Sequence, residues 1–154
     1  MNEFMKIAID EARSGIISSH GGPFGAVIVK DGKIIAAGHN HVVKNNDPTC
    51  HGEVDAIRKA CKKLDTFDLS GCDIYTTGEP CPMCLGAILW SNINHVYYGC
   101  TIEDNEKIGF RDNIFSKMLG QTRTSALDTF MTQVDRKECL DVFDDYTKLN
   151  HQNY

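Results

Sequence analysis

Four residues in two short segments carry the types and spacing that can do chemistry. His51 and Glu53 lie two apart, and thirty residues after His51 come Cys81 and Cys84, set in Pro80-Cys81-Pro82-Met83-Cys84. An imidazole and two thiolates are ligands that suit zinc. A catalytic zinc site takes three protein ligands and leaves its fourth position to water, whose pKa the metal lowers toward neutrality. His51, Cys81 and Cys84 are read as those ligands, and Glu53 as a general acid/base that moves protons without binding metal. Two plainer readings compete. The Cys-x-x-Cys pair alone would serve a thioredoxin-like redox couple or half of a structural zinc site. A closed structural site needs four ligands, and there is no second Cys-x-x-Cys and no His-x-x-x-His to complete one. Cys50 is a nearby donor, but it neighbours His51 at a helix start, where successive side chains point about 100° apart.

The flanking sequence predicts the elements that position these groups. Asp73-Ile74-Tyr75-Thr76-Thr77 reads as a strand ended by Gly78-Glu79-Pro80. Cys81, Cys84, Leu85, Ile88 and Leu89 then recur with helical spacing, so a helix is expected over 81–91 with both cysteines on its buried first turn. Pro82 suits the first helical position, and the free N–H groups there favour thiolate over thiol. His51 and Glu53 open a second helix, over 51–65, with Val54, Ile57, Ala60, Cys61 and Leu64 as its apolar stripe. Asp47 and Thr49 are candidate caps for it. Two helix N-termini are thus expected to converge on one metal.

The remaining periodicities complete an alternating pattern. A first helix is expected over 2–18, with Phe4, Ile7, Ala8, Ala12 and Ile16 on one side. Residues 26–29 and 34–37 flank Asp31-Gly32, a strong hairpin signal, and Val96-Tyr97-Tyr98-Gly99 reads as a further strand. Ile114, Phe115, Met118 and Leu119 mark a short helix, residues 129–134 a fifth strand, and Leu140, Phe143, Tyr146 and Leu149 a last helix. Strands alternating with helices imply parallel pairing through right-handed crossovers. The expected fold is a three-layer α/β/α domain with a five-stranded sheet, mixed because it includes the hairpin, and ligands beyond the carboxyl ends of its strands.

Composition narrows the function classes. The 154 residues form one domain with 42% hydrophobic and 24% charged residues, ordinary values for a soluble protein. No repeat or linker interrupts 1–154, and the first ten residues carry no long apolar run, so neither a signal peptide nor a transmembrane span is expected. Seven cysteines, two of them assigned to metal, point to a reducing compartment and a cytoplasmic location. The net charge of −5 is spread over the chain, with no basic tail, which makes nucleic acid an unlikely partner. Arg58, Lys59, Lys62 and Lys63 are read as the solvated face of their helix.

Three stretches, GGPFGAVIVKDGKIIAAGHN, NDPTCHGEVDAIRKAC and EPCPMCLGAILW, resemble the cytidine/deoxycytidylate deaminase superfamily. They contain the H-x-E…P-C-x-x-C signature of zinc deaminases. The resemblance runs from Gly21 to about Gly99, in the branch of purine and cytosine base deaminases. It implies zinc-assisted hydrolytic loss of ammonia from a nucleobase ring. The later Gly109-Phe110-Arg111-Asp112 segment and the final Tyr154 are most similar to the bacterial guanine deaminase branch. That likeness implies a homodimer with an exchanged C-terminal segment, guanine as substrate, and a purine pocket lined by Asp112 and Tyr154. By the same likeness Asn40 hydrogen-bonds the base and Phe24 walls the pocket. Read without the resemblance, Asp112 is a helix cap before Ile114-Phe115, or a partner of Arg111, and Tyr154 is a frayed chain end. The implied alternatives are deamination of cytosine, a modified purine or a triazine, tRNA adenosine deamination, and a catalytically silent zinc domain.

Overall fold

The expected hairpin forms from β1 (Gly25–Lys30) and β2 (Lys33–His39), turning at Asp31 and Gly32, which both adopt positive φ. That is the backbone a two-residue primed turn demands. The computed structural model describes residues 1–121 and 123–154. β1 also pairs antiparallel with β3 (Cys72–Gly78), which runs parallel to β4 (His95–Cys100), and β4 runs parallel to β5 (Met131–Gln133). The sheet order is β2-β1-β3-β4-β5. Parallel pairing is therefore confined to the β3-β4-β5 half, because β1, an arm of the hairpin, lies between β2 and β3.

Both faces of the sheet are covered. Val27 and Val29 of β1 face α1 (Glu3–Ile17) and α8 (Arg136–Lys148), whereas Ala26 and Ile28 face α3 (Gly52–Leu64) and α4 (Pro82–Trp90). This alternation is the two-residue period of a strand buried on both sides. Phe143 and Tyr146 anchor α8 against the first face, and each fully buried large side chain contributes about 1.5–3 kcal/mol.

The expected stripes are displaced in several helices. On α1 the buried line runs through Met5, Ala8, Ile9, Ala12 and Ile16, with Phe4 and Ile7 at its margin. The face of α3 in the interior is Glu53, Ala56 and Ala60, while Ile57, Cys61 and Leu64 are half-buried flanks. Leu89 and Leu149, expected inside, are exposed. Asp47 and Thr49 do not cap α3, since Asp47 Oδ1 accepts from the backbone N–H and hydroxyl of Thr49 instead.

Past residue 100 the chain is more helical than the periodicity predicts. The short helix expected around Ile114 to Leu119 forms as α6 (Asp112–Met118), α5 (Ile102–Lys107) and α7 (Ser125–Phe130) are added to it, and a single turn, α2 (Val42–Asn45), precedes α3. Thr129 and Phe130 end α7, so the last strand is shorter than expected. α5 starts on a Thr101/Asp104 capping box, and Asp104 ties it to α8 through Arg136, with nitrogen to oxygen distances of 2.8 and 2.7 Å. Asp104 is only 2% exposed, and the Arg136 hydrogen bonds draw its carboxyl down to about 2. A folded-state pKa below the unfolded value contributes stability that is complete above the unfolded pKa and is lost as pH falls toward the folded one. Arg136 is half-exposed, so solvent screening trims the pair, and Arg136→Met is expected to lower stability at pH 7. Urea denaturation should show the gap to wild type closing between about pH 4 and about pH 2.

Candidate active site

The two helix starts meet beyond the carboxyl end of β3. His51 is the N-cap of α3, and Cys81 is the N-cap of α4, where its Sγ accepts from the Cys84 N–H. Pro82 occupies the first turn, as its missing N–H allows. His51 Nδ1 lies 3.6 Å from Cys81 Sγ and 3.5 Å from Cys84 Sγ. Zinc bonds of about 2.3 Å to sulfur and about 2.0–2.1 Å to nitrogen, set at a tetrahedral angle, separate the two donors by about 3.5 Å. Both nitrogen-to-sulfur distances therefore match a zinc site, and the three donor atoms all lie within 4.8 Å of one another. Cys50 stands apart, grouped with His41 and Asp55, and cannot close this set as a fourth ligand. Hydrogen bonding from Cys84 and His51 pulls the Cys81 thiol down to about 4, while the bond to Cys81 and burial push Cys84 up.

Glu53 is the second residue of α3 and is 6% exposed. Thr76 of β3 donates its hydroxyl to Glu53 Oε1 at 3.4 Å, and burial raises the carboxyl to about 7. A carboxyl poised there both accepts and returns a proton near neutral pH.

A cavity of about 420 Å³ opens on these groups. Its wall brings together Phe24, Asp112 and Tyr154 with His51, Glu53 and Cys81. Asp112 is not the N-cap of α6, a position held by Arg111; it is the first helical residue and accepts from Asn105 Nδ2 at 3.0 Å. Burial raises its pKa. Arg111 leaves it free, with its guanidinium 5.1 Å above the Phe115 ring. Tyr154 is not frayed. Its ring packs edge-on to Phe110 at 5.2 Å, and its hydroxyl lies against Gly22, where a side chain would collide with it. Phe24 sits edge-on between Phe110 and Phe143.

Asn40 stands one layer back. It is 1% exposed, its N–H donates to the Phe24 carbonyl, and it is not part of the cavity wall. Its Oδ1 accepts from the Val42 N–H, which fixes the amide and leaves Nδ2 buried without a partner. Two wall residues escaped the sequence reading. Asn105 holds Asp112 and packs close to Gly78, where a Cβ would crowd the Phe24 ring at 3.1 Å and Asn105 Oδ1 at 3.2 Å. Glu79 accepts from the Ile102 N–H and pairs with Arg123. The Thr101/Asp104 capping box, legible as T-x-x-D, was the available signal for the helix that carries Asn105.

Comparison with known proteins agrees with this chemistry. The pattern of the cytidine and deoxycytidylate deaminase zinc-binding region matches residues 1–100. A guanine deaminase of Bacillus subtilis is 53% identical over 114 residues, covering 74% of this chain and 73% of its own. The crystal structure of a guanine deaminase from Bacillus subtilis superimposes with a TM-score of 0.75 at 43% identity, covering 100% of this chain and 99% of that one. A tRNA-specific adenosine deaminase of Aquifex aeolicus is 44% identical over 95 residues, or 62% of each chain. With the helix-capped ligand set, the buried carboxyl beside it and these likenesses together, the chain belongs to the cytidine and deoxycytidylate deaminase zinc-binding family.

Proposed function

We propose that this chain hydrolyses guanine to xanthine and ammonia, with zinc held by His51, Cys81 and Cys84. The observation that carries the reading is a single cavity wall bearing the ligand set, the buried acid Glu53 and a second buried carboxylate, Asp112. Guanine presents N–H donors at N1, the 2-amino group and N9, and a carboxylate acceptor matches such an edge. When bound, zinc supplies the Lewis acidity that makes water a nucleophile near neutral pH. Glu53 takes one proton from the attacking water and gives it to a ring nitrogen, then takes the second from the hydroxyl left on the attacked carbon and gives it to the departing amine, so that the carbonyl forms as ammonia leaves. Asp112, held by Asn105, orients the base. Phe24 and Tyr154 offer ring surface that confines it and excludes water. Asn40 supports Phe24 from behind the wall, through the bond from its N–H to the Phe24 carbonyl.

We place the enzyme in the cytoplasm as a homodimer. Seven free cysteines accord with a reducing compartment, and no helix among the described residues is long and apolar enough to cross a membrane. On α4 and α6, Met83, Leu89, Trp90, Ile114 and Met118 are exposed, with Trp90 at 88%, and a second copy would cover them. In the single chain the last segment folds onto its own cavity; exchange between subunits would supply Tyr154 to the partner in the same way.

The test is ammonia release by zinc-loaded protein given guanine, cytosine, adenine, guanosine and a tRNA anticodon stem-loop separately. Turnover of guanine alone is the expected result. Turnover of cytosine or the stem-loop alone would keep the hydrolytic chemistry and overturn the roles given to Asp112 and Tyr154.

A further inference from the structure

Away from the cavity, the end of β2, the turn after it and the loop that follows α1 hold a second group of metal-donor side chains that the reaction does not use. His20, His39 and His41 each bring a ring nitrogen within 4.8 Å of the others. His20 Nδ1 and His39 Nε2 are 2.8 Å apart, and the His41 ring lies over that of His39 with centroids 4.2 Å apart.

The opposite nitrogens of two of these rings are already committed. His39 Nδ1 lies 2.7 Å from Glu11 Oε2, and His41 Nδ1 lies 2.7 Å from the His39 carbonyl oxygen. Carboxylate and carbonyl oxygens only accept, so each Nδ1 carries the hydrogen and each Nε2 keeps its lone pair. Metal-binding imidazoles are oriented in this way by an outer carboxylate or carbonyl. The seat is also built into α1. A Cβ at Gly15 would lie 2.6 Å from His39 Cδ2, so the ring rests where only glycine leaves room. Glu11, and Asp55 at 3.6 Å from His41 Nδ1, supply negative charge to balance a dication.

We propose that His20, His39 and His41 form a second metal site, separate from the His51, Cys81 and Cys84 centre, for a borderline divalent ion of the zinc, nickel and copper class. Three imidazole nitrogens are the donor set such ions favour. The hydrogen shared between His20 Nδ1 and His39 Nε2 moves to His20 Nε2 as the ion enters, and the rings, which stack on one another with interplanar angles of 14°, 20° and 26°, turn so that their lone pairs meet at the metal. Both His20 and His41 reach the surface, which gives the ion a path. The site brackets Asn40, whose N–H bonds the Phe24 carbonyl behind the cavity, so an ion there would brace that wall.

The site is tested by counting metal. Protein incubated with excess zinc and freed of loose ion by gel filtration should retain about two zinc per chain by mass spectrometry. His20→Gln and His41→Gln should each retain about one, with the circular dichroism of wild type, and Cys81→Ala should also retain about one. Copper added to zinc-loaded wild type should give an electron paramagnetic resonance spectrum with coupling to three nitrogens, absent in His41→Gln. A wild type that keeps one zinc, unchanged in both histidine variants, overturns the second site and spares the catalytic reading. Two zinc surviving in both histidine variants overturns it equally. A single zinc lost from the histidine variants but kept by Cys81→Ala would instead overturn the ligand assignment at the catalytic centre.

Discussion

Glu53→Gln is expected to leave zinc in place and to lower kcat for ammonia release by about a thousandfold, within the range that positioned acid/base groups supply. The substitution preserves shape, so the packing around a residue only 6% exposed is kept, and the Thr76 hydroxyl retains an oxygen to donate to. What is lost is the proton. An amide neither takes one from water nor returns one to a ring nitrogen and an amine. Because Glu53 is not one of the three clustered donors, zinc content should stay at the wild-type value. The substrate KM should change far less than kcat, since the loss falls on proton movement in the transition state. Retention of more than a tenth of wild-type kcat would move the proton transfers to Asp112, which shares the cavity wall.

That Glu53 and its ligand neighbours were legible in the sequence has a local cause. His51 and Cys81 are helix caps, and Glu53 and Cys84 follow within one turn, so backbone geometry alone brings each pair together. The strand before Cys81 announces itself by β-branched and aromatic residues, and the hairpin by Asp31-Gly32. The far wall of the cavity is different in kind. Asn105 gave no sign because its role depends on Asp112, seven residues on and carried by another helix, and on the packing of Phe24 and Gly78 from far earlier in the chain. Asp112 has the sequence appearance of a cap, and only the placement of α5 against α6 turns it toward the cavity. Asn40 was expected on the wall but supports it from behind, a distinction set by how Phe24 packs between Phe110 and Phe143. On α3 the interior takes Glu53 and Ala56 where the helix presses closest and leaves Ile57, Cys61 and Leu64 on the flank, whereas on α1 the stripe is rotated to bury Met5 and Ile9 in place of Phe4 and Ile7. Family resemblance supplied what periodicity could not, namely that a last residue belongs in a pocket.

Cys81→Ala is expected to abolish zinc retention at the catalytic centre and to lower the melting temperature by about 8–16 °C. A ligand that binds only the folded state stabilises it by about 4 kcal/mol when its free concentration is about a thousand times Kd, and each kcal/mol moves Tm by about 2–4 °C in a domain of this size. The sheet and its two apolar layers lie outside the site, so the variant should still fold, unlike small zinc domains that have no other core. Removal of Sγ also frees the Cys84 N–H at the start of α4, a smaller loss of about 1 kcal/mol. The two contributions separate on chelation, measured in a His41→Gln background so that only this centre gives up metal. Stripping zinc there should lower Tm by the metal share alone, and the same chelator should leave the melting unchanged once Cys81→Ala is added. If Cys81→Ala instead keeps its zinc and loses only the smaller, capping share of stability, Cys81 is a helix cap and the metal is held by other donors. The paired-thiolate centre would then have to be replaced by a site in which His51 and Cys84 recruit oxygen ligands from the cavity wall.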